Sequence, residues 1–166
     1  MRRLLLLAAF GLAACDRTAP TAENTTAGAG TALEAAAAAT GLIADPAHIN
    51  PVGAWARDTD RLCTVAATGD RYMIGALVDN GPGQSCAASG TAVRAPGQLK
   101  IIFGDCHIDA ALRGDQIIFP PTVADSCDRY CAGRGSFAAM RVDHLSESQS
   151  EATTLRGPDR KSLCPA

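Results

Sequence analysis

The chain has 166 residues, with 15 Lys and Arg against 17 Asp and Glu, a formal charge of −2. That near-neutral balance excludes a general nucleic-acid binder, which needs a basic footprint. No stretch after the opening one reaches the roughly 20 apolar residues of a spanning helix, which excludes a transporter or channel built from such helices. Hydrophobic residues make up 47% of the chain but aromatics only 4%, so alanine supplies much of the apolar count and the core must be thin.

Met1-Arg2-Arg3 opens the chain as a charged segment, and Leu4 to Leu12 follows as an apolar run without an acidic residue. Its length suits the core of a signal peptide and falls short of a spanning helix. The run ends in Leu12-Ala13-Ala14-Cys15, which resembles the lipobox of bacterial lipoproteins. Small residues there let the backbone enter the signal-peptidase site. The resemblance implies that residues 1–14 are removed, that the Cys15 thiol carries a diacylglyceryl group, and that its amine is acylated. Each buried methylene contributes about 0.8 kcal/mol, and more than one chain passes the threshold for stable anchoring. Cleavage leaves 166 − 14 = 152 residues with a charge of 13 − 17 = −4, because Arg2 and Arg3 depart with the leader. The implied address is the bacterial cell envelope, facing the periplasm or the cell surface, and the implied partner is the membrane through Cys15.

Residues 16–40 contain ten Ala and six Thr, with Leu33 as their only large apolar side chain. Such a composition cannot bury enough surface to offset its ordering entropy. Residues 15–41 therefore read as a lipidated N-terminus and a flexible tether, with a frayed helix over Leu33 to Ala39 that stops at Gly41.

From Leu42 the composition changes, and Trp55, Tyr72, Phe103, Phe119, Tyr130 and Phe137 all lie beyond it. Tyr72, Ile74, Ala76 and Val78 alternate with Met73, Gly75 and Leu77; Cys106, Ile108, Ala110 and Leu112 alternate with His107, Asp109, Ala111 and Arg113. This period of two marks half-buried antiparallel strands. Gly69-Asp70, Asn80-Gly81, Gly104-Asp105 and Gly114-Asp115 supply the positive φ of tight hairpins. Strands are thus predicted around Trp55, at Leu62 to Ala67, Tyr72 to Asp79, Leu99 to Phe103, Cys106 to Leu112, Gln116 to Phe119 and Ser136 to Leu145. The reading is a mostly β domain over residues 42–145, a small antiparallel up-and-down barrel or strongly coiled sheet of about seven to eight strands. Closure would remove the edges, and disulfides would support the thin core. A barrel of this size is filled by side chains or holds one small ligand. Residues 146–166 form a polar tail with a helical turn at Ser150 to Leu155, tied to the body by Cys164.

With Cys15 lipidated, Cys63, Cys86, Cys106, Cys127, Cys131 and Cys164 remain, an even set that reads as three disulfides outside the cytoplasm. Cys63–Cys86 is the first expected pair, joining the second strand to the segment after the third. Cys106 is then expected to pair with Cys127 or Cys131, and the remaining one with Cys164. Cys127-x3-Cys131 with His107 and His144 could be assembled into a Cys2His2 zinc set, but structural zinc sites show tighter paired spacings. No metal or other cofactor is expected.

Catalytic constellations are thin. His48 sits in a loop-like stretch, His107 on an outward strand face, and His144 beside Asp143. No nucleophile elbow, zinc-protease helix or phosphate-cradling glycine loop occurs. His144 and Ser146 share a strand face without a third member or an oxyanion hole. Gly133-Arg134-Gly135-Ser136 reads as a turn. The expectation is a protein that is not an enzyme.

Gly53-Ala54-Trp55, Cys63-Thr64-Val65, Tyr72 and Cys86 together resemble the opening of the small-barrel inhibitors of bacterial metalloproteases, a family with lipid-anchored envelope relatives. Glycine-x-tryptophan also opens lipocalin-like barrels. The likeness covers roughly residues 53 to 86 and ends by Pro96. It implies a barrel, and it implies that the segment ahead of the barrel, near Leu42 to Val52, enters a protease cleft. The expected function is a lipid-anchored envelope protein presenting a β-domain to an envelope protein, a protease or a small ligand. The alternative is an inhibitor of a protease or lysozyme.

Overall fold

The computed structural model describes residues 25–40 and 49–165. Residues 1–24, which include the expected leader and Cys15, residues 41–48 and Ala166 lie outside the described residues.

Eight antiparallel strands close into one barrel in chain order: β1 (Gly53–Arg57), β2 (Asp60–Ala66), β3 (Arg71–Asp79), β4 (Ser85–Ala95), β5 (Gln98–Phe103), β6 (Cys106–Arg113), β7 (Gln116–Ile118) and β8 (Arg141–Ser146). Each strand turns back on the next, and β8 returns to β1 through Trp55↔His144 and Ala56↔Asp143. Closure leaves no sheet edge for another chain to extend. Gly69, Gly81, Gly104 and Gly114, the turn glycines read from the sequence, all have positive φ.

The longest strand, β4, escaped the sequence reading. Its inward positions are Cys86, Ala88, Gly90 and Ala92, paired with Val78, Ala76, Ile74 and Tyr72 of β3. These side chains are too small to display an apolar alternation. Their size has a packing cause: a Cβ on Gly90 would lie 2.0 Å from the Ile102 carbonyl oxygen and 3.0 Å from the Phe103 ring. Small barrels alternate small and large interior residues to fit their taper, and here the small ones are concentrated on one strand.

Three other expectations are corrected. The final strand is Arg141–Ser146, not Ser136 to Leu145, because the chain turns at Ala139, whose φ is 57°. The segment read as tether carries a 15-residue helix, α1 (Thr25–Ala39), which begins eight residues before the frayed helix expected over Leu33 to Ala39. It stands exposed, with Leu33 72% accessible, so alanine's helix propensity and not burial accounts for it. In the tail, helix α2 spans Gln149–Ala152, capped by the Ser148 hydroxyl accepting from the Glu151 N–H.

Two cores result. The main one fills the barrel, with Trp55, Leu62, Ile74, Leu99, Ile101, Phe103, Ile117, Phe137 and Val142 fully buried. A second lies outside the barrel wall, where Ala152, Leu163 and Cys164 of the tail cover Cys63 and Val65 of β2, with Met73, Leu77 and Ala87 packed against them. The tail approaches so closely that a Cβ on Gly75 would lie 2.5 Å from that of Leu163.

At the seam of β7, β8 and β1, the Asp143 carboxylate accepts from Arg57 at 2.7 Å and from Gln116 at 2.8 Å. The Arg57 hydrogen bond, then that of Gln116, holds the Asp143 carboxyl below the ordinary 3.8 of an aspartate. A carboxyl lowered in the folded state adds stability above its unfolded value, and that contribution disappears as pH falls through the folded one. Asp143→Asn should therefore lower the urea midpoint at pH 7 and leave it closer to wild type at pH 3. An equal loss at both pH values would contradict the assignment.

Candidate functional site

An interior ligand cavity was one expectation for a barrel of this size. The interior is instead occupied by side chains. The concavities of about 500, 370, 340 and 290 Å³ are lined by turns, by the tail and by wall residues. Among the described residues, the two barrel ends and the outer wall are the accessible surfaces.

At the end where the chain enters, Ile49, Pro51 and Val52 are buried. The Trp55 indole N–H donates to the Pro51 carbonyl at 3.0 Å, and the Thr64 hydroxyl donates to the same oxygen. His144 stacks on Trp55 with ring centroids 4.0 Å apart. Its Nε2 lies 3.1 Å from the Val52 carbonyl oxygen. That oxygen can only accept, so Nε2 carries the proton. Gly53 joins this entry to β1 with φ 132°, and a Cβ there would sit 1.8 Å from the Ser146 carbonyl oxygen. Of the segment that the inhibitor likeness implied should enter a protease cleft, Ile49, Pro51 and Val52 are thus buried against the barrel, while Asn50 is exposed. Leu42 to His48 lie outside the described residues.

His144 and Ser146 are not brought together as a catalytic pair. His144 holds the entry segment, while the Ser146 hydroxyl accepts from the Ser148 N–H at 3.1 Å. His107 stands exposed on the outer face of β6, opposite Ile102. Among the described residues no three His, Cys, Asp or Glu side chains could hold a metal, and Cys127 and Cys131 belong to different disulfides.

The opposite end is closed by the long β7–β8 connection, residues 119–140, containing a 3-10 helix at Asp125–Tyr130. Phe119, Cys127, Phe137 and Met140 sink from it into the main core, and the Phe137 ring lies 5.7 Å from that of Phe103. The Tyr130 hydroxyl donates to the Phe103 carbonyl at 2.7 Å. Two disulfides staple this cap to the strand starts beneath it, Cys106–Cys127 to β6 and Cys86–Cys131 to β4. The third, Cys63–Cys164, holds the tail to the outside of β2.

The disulfide map corrects two expected pairs. Cys63–Cys86 is not formed, because Cys63 belongs to the outer cluster and Cys86 to the barrel interior. They also sit on strands separated by β3, roughly twice the 4.7–4.9 Å strand spacing. Cys164 consequently pairs with Cys63 and not with a cysteine of the cap. Cys106–Cys127 was one of the two alternatives for Cys106. The alternation Leu62, Thr64 against Cys63, Val65 was a usable signal for Cys63. The unrecognised β4 hid the face of Cys86.

The cap presents one turn rigidly. The Gly135 N–H donates to the Ala132 carbonyl at 3.1 Å, and the Ala132 N–H donates to the Ser85 carbonyl at 2.7 Å. Gly133 and Gly135 lie so close to the β3–β4 turn that Cβ atoms there would meet Gly83 O at 2.4 Å and Ser85 backbone at 2.9 Å. Between them Arg134 is exposed. Comparison with known proteins yields no match to a family model, a curated sequence or a solved structure.

Proposed function

We propose that this chain is a lipid-anchored protein of the bacterial cell envelope whose β-domain binds another protein through its surface. The observation that carries this reading is the filled barrel: Trp55, Phe103, Phe137 and the interior aliphatic residues occupy the space in which a carrier barrel would hold its ligand. Binding then falls to the outside, where disulfide-stapled segments supply rigid contacts at low ordering cost. The lipobox-like Leu12 to Cys15 supports the anchoring half of the reading. Three disulfides accord with an oxidising compartment. A second reading, inhibition of a secreted enzyme, is favoured by the clamped turn at the capped end.

Native mass spectrometry of the chain purified from bacterial membranes tests the first reading. It should return an acylated protein with three disulfides and no small molecule retained in the barrel. Cys15→Ser should lose the acyl mass and leave the membrane pellet. A stoichiometric small-molecule adduct that survives Cys15→Ser, or a variant still in the pellet, would count against the proposal.

A further inference from the structure

We propose that the turn at residues 132–135 presents Arg134 as the anchor for a trypsin-type serine protease, whose narrow specificity pocket ends in a carboxylate; this deepens the inhibitor reading and rests on it. Three features of the turn converge on that partner. First, the guanidinium is available. Of the other arginines toward the capped end, Arg57 pairs with Asp143, Arg129 pairs with Asp105, Arg61 donates to the Asp58 and Asp60 carbonyls, and Arg141 is exposed but sits in strand β8 and not on a turn. Arg134 is exposed and forms no ion pair among the described residues.

Second, one long side chain stands alone. Its neighbours Gly133 and Gly135 have no side chain, and neither could acquire one without displacing the β3–β4 turn or the wall at Ser85. A projection of that shape fits a deep, narrow pocket. A guanidinium at its tip offers paired donors to a carboxylate at the floor.

Third, the turn is held before any partner arrives. The Cys86–Cys131 disulfide, the Ala132 to Ser85 hydrogen bond and the Gly135 to Ala132 hydrogen bond fix it from both sides. Little conformational freedom remains to be lost on binding, which is the condition for a strong anchor.

The test titrates the full chain, oxidised and held in detergent, against trypsin, chymotrypsin and lysozyme, reading each enzyme with a small substrate. Trypsin should be inhibited at one-to-one stoichiometry, and chymotrypsin, whose pocket is an apolar slot, should not. Arg134→Ala should weaken inhibition by about 100-fold or more, and Arg134→Lys should retain part of it. Arg134 is exposed, so these variants should keep the three-disulfide mass. Inhibition of trypsin that Arg134→Ala leaves unchanged, or equal inhibition of chymotrypsin, would overturn the role of Arg134 and leave the inhibitor reading standing. Inhibition of lysozyme alone would overturn the protease partner only. Rapid cleavage after Arg134, or no inhibition of any of the three, would end both.

Discussion

Trp55→Ala is expected to destabilise the domain by about 3–5 kcal/mol, the range for removing a large buried aromatic. A small domain has only about 5–15 kcal/mol to lose. Trp55 is 1% exposed and belongs to the main core with Ile49 and Val52. It supports the entry end in three ways: volume, the stack on His144, and the indole N–H on the Pro51 carbonyl. Alanine removes all three. Pro51 keeps its bond from the Thr64 hydroxyl, so the principal loss is volume and not an orphaned carbonyl. Trp55→Phe, which refills much of the space but lacks the donor, should cost only about 1–2 kcal/mol. Urea denaturation followed by circular dichroism is the appropriate measurement, because the chain has a single Trp and fluorescence disappears with it. A loss below about 1 kcal/mol for Trp55→Ala, far under the usual range, would mean that the entry segment collapses into the vacated space.

The second large effect is expected from replacing Cys63 and Cys164 together by alanine. Their bridge spans 101 residues. In the chain-entropy model a loop of that size contributes as much as about 4.7 kcal/mol. The other disulfides, spanning 45 and 21 residues, lie inside that loop and shorten it effectively, so about 2–4 kcal/mol is the expected loss. The loss should also be uneven across the molecule. The cap keeps its own two staples, whereas the tail retains Ala152, Leu155, Leu163 and a few hydrogen bonds, among them Ser89 hydroxyl to Leu163 carbonyl at 2.5 Å. Local opening should therefore concentrate in the tail. Limited digestion with subtilisin should cut the double variant within residues 153–162 while the wild-type tail is intact. A variant with an unchanged melting temperature and a protected tail would show that the outer cluster alone holds it.

Much of the domain was legible because its information is local. Tyr72, Ile74, Ala76 and Val78 alternate with smaller or more exposed neighbours, as do Cys106, Ile108, Ala110 and Leu112, and a period of two is a property of one strand by itself. The turn glycines were legible for the same reason, since a positive φ is set within a few residues. β4 was not, because its inward positions answer to Phe103 and the backbone of β5, and a sequence of Cys, Ala, Gly and Ala carries no sign of what it faces. The clamped turn at Arg134 shared that difficulty. Glycine marked a turn, but the bridge to Cys86 and the contact with Ser85 depend on a connection that crosses the barrel end.

A mostly β domain, hairpin turns and enough cysteines, seven in all, for three bridges were legible from the chain alone. Those features follow from alternation, turn chemistry and count. Closure of the sheet, the filled interior and the pairing of Cys63 with Cys164 and of Cys86 with Cys131 emerge only in three dimensions. A disulfide requires two side chains on the same side of the barrel wall within a few ångströms. That condition depends on strand order and register, which are set by pairing between distant segments and not by any stretch of the chain alone.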